Sequence, residues 1–253
     1  MPVNAIIQAI AGTLYLATIS TVGIRVLILA RRNRGMPELL LGISLVVGGT
    51  FGASLEAGGM SGTEAELEPA LAGALYGTGK AFSIVGFVCQ ALFIRNVFRP
   101  TEAWAAGLVA MVVFAQLGLY TAYAAAGTFS TGVIPKELFL VEFVARAFGS
   151  VWFIAEALRY YGMMRKRLSL GLADPMVTDR FRVWAVAGIL GLVMLGTSLP
   201  PVIVGDPNWW AMDLIIPVFA ATGIASSAFY LLAFFPPAWY RARVMRRLGG
   251  ANT

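Results

Sequence analysis

Apolar residues fall in seven long runs, at about Asn4–Ala30, Glu38–Ala57, Pro69–Phe98, Trp104–Gly127, Leu138–Met163, Phe181–Val204 and Trp209–Phe235. A helix crosses roughly 30 Å of hydrocarbon with about 20 mostly apolar residues, and each run is long enough. In lipid a segment must satisfy its own backbone hydrogen bonds, so runs of this length predict helices. An outer-membrane barrel would instead alternate over roughly ten-residue segments. The gaps are short and polar or carry Gly and Pro, which leaves no room for a second domain. The pattern predicts an all-α membrane protein, a seven-transmembrane-helix bundle over residues 1–235 with an amphipathic tail over 236–253.

Composition agrees. Of 253 residues 58% are hydrophobic and only 13% charged, with a mean hydropathy of +0.77. Soluble domains carry about twice that charge, so a soluble enzyme, a disordered chain and a disulfide-stapled secreted domain are all excluded. The chain has no His and one Cys. That removes histidine-ligated haem, most zinc sites and every His-dependent triad. No span holds a D-x-x-D or E-x-x-E pair, and span 7 has no lysine for a retinal Schiff base. The protein is expected not to be an enzyme and to use no metal or cofactor. Cys89, inside span 3, reads as a small apolar core residue.

The loop charges set an orientation. Arg31, Arg32 and Arg34, then Arg95 and Arg99, then Arg159, Arg165, Lys166, Arg167, Arg180 and Arg182, and finally Arg241, Arg243, Arg246 and Arg247 all fall on one side. The other side has Lys136 among Glu64, Glu66, Glu68, Glu137 and Asp206. By the positive-inside rule the N-terminus is outside and the C-terminus cytoplasmic. The net charge of +6 is therefore a topology signal, and nucleic acid is not an expected partner. The opening Met1-Pro2-Val3-Asn4 lacks a charged n-region, so the first run is expected to be an uncleaved span. After Pro236-Pro237, the stretch Ala238–Leu248 mixes Trp239 and Tyr240 with four arginines. It predicts a short interfacial basic helix, with both aromatics at headgroup level and anionic lipid as partner.

Charges inside the spans carry the functional clue, because lipid-facing ones are costly. Lys80 lies eleven residues into span 3, ~16 Å along the axis. Gly73, Tyr76, Lys80, Ser83 and Phe87 share its face, with Gln90 at the margin. In span 5, Glu142 and Arg146 stand four apart with the acid first, the favourable order for an ion pair. Further along the same face Glu156 can meet Arg159. Asp213 enters span 7 one turn from Pro217, and Glu56 closes span 2. Lys80, Tyr76, Ser83, Glu142, Arg146 and Asp213 are the candidate ligand-binding residues, the two bases holding an anionic group. The competing reading is an internal ion-pair network joining spans 3, 5 and 7.

Small residues at Ser44, Gly48 and Gly52, at Gly73 and Gly77, and at Gly188 and Gly191 predict closely packed helices. Pro200-Pro201 and Pro217 interrupt spans 6 and 7.

Three junctions resemble a known group of proteins. They are Arg31-Arg32-Asn33-Arg34-Gly35-Met36-Pro37-Glu38-Leu39-Leu40-Leu41-Gly42, Val97-Phe98-Arg99-Pro100 with Trp104, and Ala233-Phe234-Phe235-Pro236-Pro237-Ala238-Trp239. They are similar to those of a family of bacterial seven-transmembrane proteins of uncharacterised function. The last also resembles the end of the membrane sensor part of some histidine kinases. The resemblance covers the junctions and implies a bacterial plasma (inner) membrane and a sensor-like bundle. The chain runs only to Thr253, without a kinase domain, so any signal is expected to leave through a partner on the cytoplasmic side, at the Arg165–Arg182 loop or the tail.

The leading expectation is a receptor- or sensor-like integral membrane protein that binds a small molecule or lipid from the outer side. One alternative is a small-molecule or ion transporter using the same charges, although spans 1–3 and 5–7 show no repeat. The other is an accessory subunit whose glycine faces pack on other chains.

Overall fold

Every element among the described residues is helical. The computed structural model describes residues 3–64, 67–131, 134–204 and 212–249. In chain order the α-helices are α1 (Val3–Asn33), α2 (Met36–Ile43), α3 (Ala53–Glu64), α4 (Pro69–Phe98), α5 (Ala103–Ala125) and α6 (Thr128–Thr131). They continue with α7 (Lys136–Ser169), α8 (Pro175–Gly196), α9 (Leu199–Val204), α10 (Met212–Phe234) and α11 (Ala238–Val244). Among the described residues six segments are long and apolar enough to cross a membrane: Ala9–Asn33, Met36–Met60, Pro69–Phe98, Ala103–Ala125, Lys136–Ser169 and Leu214–Phe234. The chain is thus a multi-pass, all-helical membrane protein.

The sixth expected run, Phe181–Val204, is not one helix. Proline 200 and proline 201 lack the N–H groups that would bond back to residues 196 and 197, so α8 stops at Gly196. The Thr197 and Ser198 hydroxyls donate instead to the carbonyls of Met194 (2.6 Å) and Leu195 (2.7 Å), and α9 restarts at Leu199. Asp179, Arg180 and Arg182 lie in the first turns of α8, which leaves 14 uninterrupted helical residues from 183 to 196. That is about 21 Å, short of the hydrocarbon thickness.

By its packing the chain divides into two units, Ile19–Gly149, and Met1–Thr18 with Ser150–Thr253. In the first unit, α2 and α3 are joined by a wider helical stretch, Ser44–Gly52, in which hydrogen bonds skip to the fifth residue back. The Ala53 N–H donates to the Gly48 carbonyl in this manner. The Thr50 hydroxyl donates to the Leu45 carbonyl (3.2 Å) and pairs with Ser20 Oγ (3.0 Å).

This rod runs antiparallel to α4 along a seam of small residues. A Cβ on Gly48 would stand 2.6 Å from Gly86 Cα, and one on Gly52 would stand 2.8 Å from the Ser83 nitrogen. A Cβ on Gly79 would meet the Glu56 nitrogen at 2.5 Å, and one on Gly59 the Tyr76 nitrogen at 2.6 Å. The paired numbers descend on one helix as they rise on the other, which fixes the register. Because each approach is backbone to backbone, no side chain can yield to relieve it.

The span 2 run was expected to end at Ala57, yet the helix continues to Glu64. Gly58, Gly59, Ser61 and Gly62 lower the hydropathy there, but Gly59 is needed against Tyr76. α5 closes at Gly127, whose φ of +73° suits glycine, and α6 follows. The Phe129 carbonyl of α6 presses so closely on Gly73 that a Cβ there would sit 1.7 Å from it.

In the second unit, Asp174 caps α8 by accepting from the N–H groups of Met176 (2.7 Å) and Val177 (3.0 Å). The tail is helical as expected, and Tyr240 turns inward on it. It is buried with Val244 against Val183 and Ala233, and its hydroxyl donates to Asp179, which also pairs with Arg182 at 2.7 Å. Burial and the bond to Asp179 push the Tyr240 hydroxyl up to about 12, so it stays protonated and donating throughout the neutral range. Its neighbour Trp239 is 61% exposed.

The seam makes a direct prediction. Gly48→Val should destabilise the protein by about 1–3 kcal/mol in SDS-unfolding titrations followed by circular dichroism. Gly107→Ala, which adds a methyl into open space, should stay near wild type.

Candidate functional site

The seam sets Glu56 of α3 beside Lys80 of α4, and α7 supplies the other two charges. The Lys80 ammonium donates to Glu142 Oε1 at 2.7 Å and to Glu56 Oε2 at 3.3 Å. Arg146 Nη2 lies 2.5 Å from Glu142 Oε1, and it donates to Glu56 Oε2 at 3.1 Å and Oε1 at 3.3 Å. Each base therefore touches both acids, and the four formal charges sum to zero. The Tyr123 hydroxyl of α5 donates to Glu142 Oε2 at 2.6 Å. Four helical rods of the first unit meet through this one network.

Aromatic rings complete the enclosure. Lys80 Nζ stands 4.9 Å from the Tyr76 ring centre and 5.2 Å from that of Tyr123, which satisfies a cation that has lost its water. Tyr76 and Tyr123 pack edge to face, and Phe129 of α6 packs on Tyr76. The Arg146 guanidinium lies over Phe87 at 5.2 Å. Burial is uneven: the Lys80 and Glu142 side chains are 5% and 9% exposed, whereas Arg146 is 25% exposed. Arg146 is the open side of the cluster.

The two acids are held unequally. Glu142 has contacts of 2.5, 2.6 and 2.7 Å from three partners, while those to Glu56 run from 3.1 to 3.3 Å from two. Hydrogen bonds to ionised groups strengthen as they shorten, so Glu56 is the more releasable carboxylate. With both bases neutralised from within, an incoming anion must displace one acid, and Glu56 is the easier to displace.

The structure thus brings together Lys80, Tyr76, Glu142 and Arg146 of the six expected residues. Ser83 lies one turn further along α4 and is buried against Gly52 in the seam. The side chain of Asp213, the expected span 7 partner, lies outside the described residues. Among the described residues the ties run among spans 2, 3, 4 and 5. Glu156 pairs with Arg159 at 3.4 Å, in the second unit.

Two members escaped the sequence reading. Glu56 was placed at the edge of its run, but α3 carries on for two more turns. Tyr123 does not stand out in the sequence among the chain's many aromatics. The sequence carries one signal for it: Gln116 and Tyr123 are seven apart in the span 4 run and so nearly on one line of a helix, and the structure buries both on α5.

These features define a multi-pass α-helical membrane protein with a buried, charge-balanced polar cluster. Comparison with known proteins adds no narrower identity: no family model, no curated protein and no solved structure matches the chain.

Removing one partner of a buried pair strands the others, so Lys80→Ala should cost about 3–5 kcal/mol. Tyr123→Phe should cost about 1–3 kcal/mol, since it strips one hydrogen bond from a carboxylate that keeps two cations. SDS-unfolding titrations of both variants beside wild type check the order.

Proposed function

We propose that this is a receptor- or sensor-like integral membrane protein of a bacterial plasma membrane. It binds a small molecule or lipid from the outer side, performs no chemistry on it, and passes the signal to a partner. In this reading the chain crosses seven times, with the N-terminus outside and the C-terminus cytoplasmic, and the interrupted α8–α9 segment makes the sixth crossing. The observation that carries the reading is the unequal grip on the two acids of a neutral cluster. Ionisable residues within a membrane mark functional sites more often than structural ones.

The mechanism follows from competition. A ligand's anionic group approaches from the Arg146 side and replaces Glu56 on Arg146 and Lys80. Glu142 stays in place, held by Tyr123. Because the seam places the Glu56 backbone against Gly79, a displaced Glu56 side chain changes how α3 lies on α4, and that movement is the signal.

A second reading, transport, is favoured by one specific feature. Lys80 and Arg146 each reach both acids, so the pairs can exchange without leaving a charge alone. It predicts flux in proteoliposomes that depends on pH and on Glu142. The accessory-subunit reading draws less support, since Gly48, Gly52, Gly73 and Gly77 are consumed by packing inside the first unit.

The test is native mass spectrometry of gently solubilised wild type beside the charge-balanced double variant Glu56→Gln/Lys80→Met, which leaves Glu142 paired with Arg146. A small molecule retained by wild type and missing from the variant is the expected result. The same bulk-lipid adducts on both forms would contradict ligand binding at this cluster.

A further inference from the structure

The C-terminal helix has spent its apolar face on the protein itself. Tyr240, Val244 and Leu248, each four apart, pack on Val183, Ala233, Met176 and neighbouring aromatics of α8 and α10. Tyr240 is further tied to Asp179, and Asp179 to Arg182. The opposite face is exposed and carries Trp239, Arg243, Arg246 and Arg247. The helix is therefore fixed at the end of α10, where Pro236-Pro237 breaks the span, with three cations and an indole directed away from its own unit.

A second observation lies at the other end of α8's first turns. The α7–α8 turn exposes Leu170 and Leu172, each at 72%, directly after the exposed Arg165, Lys166 and Arg167. Solvent-exposed leucines beside a cationic run are unfavourable in water. They suit the boundary where headgroups meet acyl chains, as does an exposed tryptophan.

We propose that the outer face of the tail helix and the α7–α8 turn together form a binding shelf for anionic phospholipid headgroups. The arginines take the phosphates, while Leu170, Leu172 and Trp239 enter the acyl boundary. A soluble acidic protein would satisfy the arginines but leave the leucines and the indole in water, so the membrane is the better occupant. The shelf is independent of any ligand at the Glu56–Lys80 cluster. Each arginine near an anionic surface strengthens binding by about fivefold.

The full chain in mild detergent is titrated with brominated phosphatidylglycerol or brominated phosphatidylcholine of the same chains. Quenching of Trp239 is isolated by subtracting the Trp239→Phe protein. Wild type should prefer phosphatidylglycerol, and Arg243→Gln/Arg246→Gln/Arg247→Gln should weaken it by about a hundredfold while leaving phosphatidylcholine unchanged. These arginines are exposed, so circular dichroism should show an unaltered helix content. Equal quenching of wild type by both lipids, or an unchanged preference in the triple variant, would overturn the proposal. So would binding of soluble polyglutamate as tight as that of phosphatidylglycerol, combined with no effect of Leu170→Ser/Leu172→Ser. That outcome would assign the surface to an acidic protein.

Discussion

A charge that leaves water must be neutralised where it stands, and the first unit is built around that demand. Lys80 sits near the middle of a 30-residue helix, too deep for its ammonium to reach an interface without cost. Its partners come from α3 and α7, and Glu56 of α3 reaches it where the two backbones come close. The glycine seam supplies that approach. Gly48 on Gly86, Gly52 on Ser83, and Gly79 on the Glu56 backbone bring the two rods near enough for a glutamate side chain to reach the lysine. Packing and electrostatics are here one constraint, since adding a methyl at the seam would also part the ion pair.

Such a network is not in itself a large source of stability. Desolvating four ions costs free energy that their mutual attraction only roughly offsets. What it does secure is arrangement, because any register that separates one acid from both bases is heavily penalised. The same argument explains how a neutral cluster can be both rigid and switchable. Glu142 is held by three short contacts and anchors α7 to α4 and α5. Glu56, on longer contacts, is the part that can leave when another anion takes its place.

Much of this was legible in the sequence. Lys80, Glu142 and Arg146 stand out as charges in apolar runs, and the i,i+4 order of the latter two already implied their pairing. Both ends of the Pro69–Phe98 helix could be read directly, since Pro69 opens it and Arg99-Pro100 closes it. Glu56 was misplaced because hydropathy treats Gly58, Gly59 and Gly62 as loop, whereas a glycine-rich helix is stable when its bare face is covered by another helix. The widened turn over Ser44–Gly52 has no compositional signature at all. The inward packing of Tyr240 was not legible for a related reason: an aromatic beside arginines suits a headgroup layer, and only the fold reveals that Asp179 of α8 accepts from its hydroxyl. The break in α8 was partly visible in Pro200-Pro201, but not that Thr197 and Ser198 would cap the carbonyls before it.

The central claim is that Glu56 and Lys80 act as one unit across the seam. A double-mutant cycle of Glu56→Gln and Lys80→Met, read as unfolding free energy in SDS titrations, addresses it most directly. The account predicts strong non-additivity, with the double variant more stable than Lys80→Met alone and a coupling of at least about 1 kcal/mol. Additive losses, with a double variant as weak as the sum of the single changes, would contradict it.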